Sequence, residues 1–489
     1  MAENRFLRPN KDYDVTDVVK LCPEQIEGVE FLLSKFNAIV GLQTGLGKTL
    51  CALTAAQHII NGTNNTICFI ICPKAANTAF MKELRTKLKK TFSIYTTETK
   101  AINNGSRYFI FNYSNLPDMI RYLTVLKERG YKVFAIFDEI HQLQSEDSNQ
   151  AKLLRSVRKE FACVFGATAT PLLNELEGTY RVVDFVRPGF LGTIEQFQSR
   201  YIIYREKTIR VPGGRSRKIK EVAGYRNLEE LSKRLEEVIL VRRLQYNLNF
   251  IYKTCSLTEY EDEQYKQAAE GYLEDANNEK AIAARLHDLQ RVADGSHLQL
   301  QDGTLYSKMS LLINVLQDRV SKGEGCIVYT EYEDTYNKLG EIISKYKGYI
   351  GYRDLHYITG KTPYKKRVEV EQKLTPKDIV VITRAGCQSI NLQAINNVIF
   401  YNTPFALGWF IQCVGRVARM DSKYDQQNIF ILEASDTIDT YKRLLVQDHS
   451  ELIRIIFGKE GNLPDIGKLD KDVMKKYRTY FKRKLLWKK

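Results

Sequence analysis

The sequence predicts an α/β protein with two parallel sheets, each covered by helices. Three observations lead there. Short apolar runs alternate with longer helical patterns along most of the 489 residues. The runs fall into two sets: Ala38–Leu42, Ile67–Cys72, Tyr108–Asn112, Val133–Phe137 and Cys163–Gly166, then Cys326–Thr330, Ile379–Thr383 and Val398–Tyr401. Several are apolar on both faces, the Val-Phe-Ala-Ile-Phe run before Asp138 most clearly, which suits the middle of a covered sheet.

Between the two sets the pattern changes. Residues 205–220 carry seven Arg or Lys and one Glu, and Pro212-Gly213-Gly214 reads as the turn of an exposed hairpin. Leu228, Leu231, Leu235, Val238 and Ile239 then fall at helical spacing, so an amphipathic helix is expected there. A second insertion, about 258–305, reads as helical and polar. From Lys475 to Lys489 there are eight Lys or Arg and no acid. The expected organisation is a segment 1–19, a first lobe 20–190, a protrusion and linker 191–255, a second lobe 256–450 and a short basic extension 451–489.

Composition narrows the function. The chain is 44% hydrophobic and 27% charged, ordinary for a protein with full cores. The formal net charge is +15, which favours a polyanionic partner, most simply nucleic acid. No apolar run is long enough to span a bilayer and the N-terminus lacks a secretory pattern, so no membrane association is expected. The nine cysteines are scattered, mostly in strand-like runs, and the six histidines lack metal spacing, so no structural zinc is expected.

Two constellations carry chemistry. The strand ending near Leu42 runs into Gln43-Thr44-Gly45-Leu46-Gly47-Lys48-Thr49 and then an apolar helix. Glycines in such a loop let backbone N–H groups turn around the phosphates of a nucleotide. Lys48 brings a positive charge to the same oxygens, and Thr49 offers a hydroxyl to Mg²⁺. The helix N-terminus adds its own partial positive charge. Ninety positions downstream of Lys48, Asp138 and Glu139 follow a buried strand, with His141 two residues on. Ligands of open α/β sheets sit at that carboxyl edge. Asp138 is expected to hold Mg²⁺, Glu139 to orient and deprotonate the attacking water, and His141 to couple nucleotide state to the rest of the molecule.

With these residues placed, the chain resembles superfamily 2 helicases of the Swi/Snf-like branch, double-stranded DNA translocases built from two RecA-like lobes. The resemblance runs from about residue 20 to 450. Leu21-Cys22-Pro23-Glu24-Gln25 resembles the opening motif, whose Gln reads adenine. Gly166-Ala167-Thr168-Ala169-Thr170-Pro171 resembles motif III, Arg242-Arg243 the paired arginines, Thr383-Arg384-Ala385-Gly386 with Ile390-Asn391-Leu392 motif V, and Gln412 to Arg419 motif VI. Cys387-Gln388-Ser389 stands where the branch has small residues.

The resemblance implies ATP in a cleft between lobes. Gln25, Thr44, Gly45, Leu46, Gly47, Lys48, Thr49 and Gln412 would bind it, and Lys48, Asp138, Glu139, Arg416 and Arg419 would act in hydrolysis. The spacing of Gln412, Arg416 and Arg419 suits one helical face. His141, Thr168, Thr170 and Asn391 would couple the nucleotide to the DNA face. Pro73, Lys74, Tyr113, Ser114, Thr330, Thr359, Gly360, Thr383 and Arg384 would grip phosphates without reading sequence. The implied partner is duplex, forked or junction DNA, met by a monomer in the cytoplasm, or the nucleus of a eukaryote. Alternatives are an RNA helicase and an inactive nucleotide-binding scaffold. The aromatics interleaved in the basic tail, Tyr477, Tyr480, Phe481 and Trp487, suit either base stacking or bracing of the second lobe.

Overall fold

A computed structural model of the chain describes residues 19–447, apart from Thr44, 96–99, 102–104, Asp147, 170–175, 211–215, 243–246, 275–278, 297–304, 388–389, Asn391, 405–406, 418–423 and Leu445. The described residues form two compact units. The first comprises those up to Tyr204 and within Val222–Leu244, the second those within Arg205–Glu221 and Gln245–Leu452.

The first unit is built on strands β1 (Asn37–Leu42), β2 (Thr66–Cys72), β3 (Ser93–Tyr95), β4 (Lys100–Ala101), β5 (Tyr108–Asn112), β6 (Lys132–Asp138) and β7 (Val164–Ala167). Strands β8 (Ile202–Arg210) and β9 (Ser216–Tyr225) pair with each other in a separate two-stranded sheet. Strand β10 (Ile239–Arg242) then returns to the first sheet, whose order is β10-β1-β7-β6-β2-β5-β3-β4. Every pairing in it is parallel except β3 with β4.

Strand β10 corrects the sequence reading. The helix over Leu228–Glu236 stops before Val238, and Ile239 pairs with Ile39 at the sheet edge. The run Val238-Ile239-Leu240-Val241 is apolar and rich in β-branched residues, a composition that favours a strand once a sheet edge is at hand.

Helix α1 (Pro23–Lys35) and helix α2 (Lys48–Asn61) cover the first sheet near β1. Pro23 at the first helical position has its φ already set for α1. From Cys51 to Ile60 every residue of α2 is buried. Burial of a side chain such as Ile59 is worth roughly 1.5–3 kcal/mol, so the helix that follows the glycine-rich loop is a firm base for it.

The second unit holds β11 (Asn247–Cys255), β12 (Cys326–Thr330), β13 (Leu355–Ile358), β14 (Ile379–Thr383), β15 (Asn397–Phe400) and β16 (Gln426–Ala434). They form an all-parallel sheet in the order β11-β16-β15-β12-β14-β13. The stretch expected as protrusion and linker therefore also supplies an outer strand to each sheet, β10 to the first and β11 to the second. Two helices, Glu259–Glu274 and Glu279–Ala293, fill the expected insertion. They are not merely polar, because Tyr265, Leu289, Val292 and Ala293 pack with Ile438 in a small core.

Beneath these helices lies a buried charge cluster. Lys308 is 1% exposed and its Nζ donates to Asp294 Oδ1 at 2.9 Å and Asp439 Oδ2 at 2.5 Å. Gln290 Nε2 donates to both aspartates at 2.8 Å, and Asn402 Nδ2 donates to Asp294 Oδ2 at 2.8 Å. Burial pushes the Asp294 carboxyl up, Lys308 opposing it, while the two aspartates hold Lys308 above its usual range against the cost of burial.

No helix of the described residues is long and apolar enough to cross a membrane. The described cysteines Cys68, Cys72, Cys163 and Cys326 are buried free thiols, and burial holds all four above the usual thiol range.

Candidate nucleotide and nucleic-acid sites

The loop between β1 and α2 is shaped by two glycines in left-handed backbone, Gly45 at φ 95° and Gly47 at φ 70°. Side-chain residues are strained there. A Cβ at Gly47 would also collide with the Gln25 side chain. Gln25 Nε2 donates to the Leu46 carbonyl at 3.0 Å, and its Oε1 accepts from the Cys22 backbone N–H at 3.1 Å. One carboxamide thus caps α1 and fastens the loop. Gly28 lets α1 approach α2, since a Cβ there would lie 2.7 Å from Cys51 Sγ. Lys48 and Thr49 open α2, half-buried at the loop.

Asp138 ends β6 and is 7% exposed. Burial pushes its carboxyl up to about 7; Glu139 adds to the rise and Lys48 opposes it. Glu139 takes left-handed backbone at φ 51°, a conformation that costs a non-glycine residue of order 1–3 kcal/mol and clusters at functional sites. His141 Nδ1 stands 2.9 Å from Thr168 Oγ1 and 3.2 Å from Glu139 Oε2. The acidic strand end and the end of β7 are therefore joined through one imidazole. Arg242 Nε donates to Glu27 Oε2 at 2.7 Å, tying β10 to α1.

Of the other first-unit residues, Lys74 and Ser114 are exposed and Pro73 is half-buried. Tyr113 is a correction. Its ring is buried and its hydroxyl donates to the Asp138 carbonyl at 2.9 Å, so it supports the acidic pair from beneath instead of facing a phosphate. Thr44, Thr170 and Arg243 lie outside the described residues.

In the second unit, Gln412 sits on the last turn of the helix Leu407–Val414, and Arg416 lies in the turn beyond Gly415. A continuous helical face through Gln412 and Arg416 is therefore corrected: the helix stops at Val414, ahead of Gly415, a residue of poor helix propensity. Arg416 is buried; its Nη1 donates to the Ile390 carbonyl at 3.3 Å and its carbonyl accepts from Leu392 N–H at 3.1 Å. Arg419 and Asn391 lie outside the described residues, as do the turn of the basic hairpin and the tail 475–489.

Thr359, Gly360, Thr383 and Arg384 come together on one cavity of about 560 Å³ within this unit. Arg367, buried, donates to the carbonyls of Thr359 at 2.7 Å, Thr362 at 3.0 Å and Gly386 at 3.4 Å, which locks the 359–362 loop against the end of β14. Gly386 is needed there, because a Cβ would collide with the Ile358 carbonyl. Thr330 is a further correction. It is fully buried and its hydroxyl accepts from Asn402 Nδ2 at 3.1 Å, so its side chain faces the interior. The cavity also takes Glu331, Glu333, Lys361 and Trp409. Sequence reading missed these, because an apolar Gly-Trp-Phe run reads as core; the guanidinium of Arg384 lies 4.2 Å over the Trp409 ring.

Among the described residues, Asp354, His356 and Asp378 are a further group close enough to share a metal. Arg353 Nε lies 2.9 Å from Asp354 and 3.3 Å from Asp378, so a cation already answers that charge.

Two RecA-like units, with a glycine-turned phosphate loop beside a buried acidic pair, define a helicase-type nucleoside-triphosphate hydrolase. The chain belongs to the SNF2-related family: residues 24–311, more than half its length, match the SNF2-related domain, and 307–421 match the helicase conserved C-terminal domain. It is an ATP-hydrolysing enzyme.

Its relatives include an uncharacterized ATP-dependent helicase, YqhH, of Bacillus subtilis, 22% identical, with 89% of this chain and 79% of that protein covered. The DNA repair and recombination protein RAD54B of Gallus gallus is 23% identical over 86% of this chain and 52% of its own length. The putative ATP-dependent helicase/translocase YwqA of Bacillus subtilis is 22% identical over 78% of this chain. The chain spans only 43% of YwqA, so it corresponds to about half of some relatives and most of another. Among solved structures, the Sulfolobus solfataricus SWI2/SNF2 ATPase core in complex with dsDNA is 19% identical, with a TM-score of 0.40 and 96% of this chain and 97% of that one covered.

Proposed function

We infer that the chain is a DNA-stimulated ATPase that moves along duplex or branched DNA, serving fork remodelling, branch migration or displacement of bound proteins. The observation that carries the DNA half of this reading is the meeting of Thr359, Gly360, Thr383 and Arg384 on one preformed cavity. Hydroxyls, a backbone amide and a guanidinium suit phosphate oxygens of any sequence. The +15 net charge supports a polyanionic track.

For hydrolysis, the donor set fits Mg²⁺: a threonine hydroxyl and a buried carboxyl whose charge is otherwise offset by Lys48. Thr49 and Asp138 would hold the ion, which supplies positive charge against the β and γ phosphates. Lys48 provides a second, fixed charge. The backbone N–H groups of the loop, held by Gln25, bind phosphate oxygens. Glu139 orients the attacking water and accepts its proton, and the His141–Thr168 contact carries the state of that carboxylate to the end of β7. Arg416 and Arg419 are assigned the charge that builds during phosphoryl transfer, a role worth 10³–10⁵ in rate where it is supplied by an arginine finger.

ATP turnover measured with blunt duplex, forked DNA, single-stranded DNA and RNA tests the reading, together with displacement of a triplex strand and of a Holliday junction. Stimulation by duplex or forked DNA and displacement of a bound strand are expected. Stimulation by RNA alone, or no stimulation by any polynucleotide, would overturn it.

A further inference from the structure

The carboxyl edge of the first sheet carries two short turns past the ends of neighbouring strands. Lys74–Ala76 lies past β2 and Tyr113–Asn115 past β5. Each turn exposes one of the residues expected to meet a phosphate, Lys74 on the first and Ser114 on the second. Beneath them the strand ends are bolted together by a pair of carboxamides. Asn112, buried, donates through Nδ2 to the Cys72 carbonyl at 3.0 Å and to Asn77 Oδ1 at 2.7 Å. Asn77 Nδ2 donates back to Asn112 Oδ1 at 3.2 Å. Such a reciprocal pair leaves the two turns little freedom to move separately.

From the second turn one side chain reaches the acidic pair. Strand β2 lies between β5 and β6, so the Tyr113 side chain crosses the end of β2 to donate to the Asp138 carbonyl at 2.9 Å. That carbonyl and the Glu139 N–H belong to one planar peptide. Movement of the plane therefore turns Glu139, whose left-handed backbone at φ 51° sits in a narrow well. Burial holds the Tyr113 phenol well above its usual range, with Asp138, Cys72 and Glu139 adding to the rise, so it stays a protonated donor. The ring is buried, so a polynucleotide would meet the turn and not the phenol.

We propose that Tyr113 is a positioning residue: a polynucleotide seated on Lys74 and Ser114 moves the two bolted turns as one body, and the Tyr113 hydroxyl passes that movement to the Asp138–Glu139 peptide, setting the aim of the Glu139 carboxylate. The proposal rests on the reading of the chain as a DNA-stimulated ATPase and deepens it by naming how stimulation reaches the attacking water. Asn77 and Asn112 serve the same route by making one body of two turns.

The full chain and its Tyr113→Phe, Asn77→Ala and double variants are assayed for ATP turnover at saturating ATP, with and without saturating duplex, and for duplex binding by anisotropy. Tyr108→Phe is the control, since it removes a buried hydroxyl of the same strand that donates to Gln57 Oε1 at 2.8 Å. The readout is the stimulation ratio, turnover with duplex over turnover without. A hydroxyl that only braced the acidic strand would lower both rates alike and leave the ratio in place. Tyr113→Phe is expected to lower the ratio about fivefold, the scale of one lost hydrogen bond, with duplex affinity and KM for ATP kept near the parent's. Asn77→Ala is expected to lower it several-fold, and the double variant to match Tyr113→Phe alone, because links in series do not add. Tyr108→Phe is expected to keep the parent's ratio. An unchanged ratio in Tyr113→Phe or Asn77→Ala, an equal fall in Tyr108→Phe, a loss of duplex affinity in Tyr113→Phe that parallels the ratio, or a double variant whose ratio falls by the product of the two would each overturn the proposal and leave the motor reading standing. If neither duplex nor forked DNA stimulates the parent chain, the motor reading falls and the proposal with it.

Discussion

At the scale of single residues, the nucleotide edge trades stability for chemistry. Asp138 carries a carboxyl that burial pushes up to about 7 from an ordinary 3.8. A folded-state value above the unfolded one means that the stability tied to the protonated form is complete below about pH 3.8 and is lost as pH rises through about 7. Asp138→Asn is therefore expected to melt higher than the parent at pH 8 without nucleotide, by roughly 2–4 °C for each kcal/mol recovered, and to lose ATP turnover. Thermal melts at pH 5 and pH 8 check this: the gap between variant and parent should shrink at the lower pH. Gln25 makes a different contribution. Without its two hydrogen bonds the loop must be ordered by the ligand itself, so Gln25→Ala is expected to raise KM for ATP about tenfold, the factor that 1.4 kcal/mol of ordering cost produces. A steady-state titration of ATP decides it.

At the scale of elements, the carboxyl ends of the strands carry both candidate sites, and the neighbouring loops are fixed by buried groups. Gly386→Ala would force the end of β14 away from Ile358, and overpacking of this kind typically costs about 1–3 kcal/mol. It is expected to weaken DNA binding more than ATP binding, measured by anisotropy with each ligand. Much of this level was legible beforehand. Eight strands could be read because central parallel strands are apolar on both faces. Among the strands that escaped, β13 reads Leu-His-Tyr-Ile, β16 opens on polar Gln-Gln-Asn ahead of its buried Ile-Phe-Ile-Leu run, and β10 follows a helix whose spacing ran on into it. The loop chemistry at Gly45–Thr49 and Asp138–Glu139 was legible because glycine and charge leave local marks. Tyr113 and Thr330 were misread for the converse reason, because a hydroxyl in a polar stretch gives no sign of which way it points. Arg367 and Trp409 gave no local mark either, since their roles come from packing between loops distant in sequence.

At the scale of the molecule, the second unit is held by a charged centre as well as an apolar one. Lys308, Asp294 and Asp439 join the inserted helices to the segments that follow β15 and β16, with Asn402 and Gln290 completing their hydrogen bonds. Removing the cation leaves two buried carboxylates facing each other. Lys308→Met is expected to destabilise the second unit by about 3–5 kcal/mol, the cost of breaking a buried pair. Chemical denaturation followed by Trp409 fluorescence in the Trp487→Phe background checks it; a change below about 1 kcal/mol would contradict the role.

The place of β10 at the edge of the first sheet bears on how the chain is born. The strand that launches the phosphate loop is flanked on one side by β7 and on the other by residues 239–242. A nascent polypeptide reaching only Tyr204 presents β1 with a bare row of amides and carbonyls, a surface prone to pairing with other chains. Synthesis must thus pass Arg242 before this edge of the ATP-binding unit is sealed, and the basic hairpin emerges during that interval. A fragment ending at Tyr204 is expected to aggregate where one ending at Leu244 stays dispersed, which light scattering on the two truncations will distinguish.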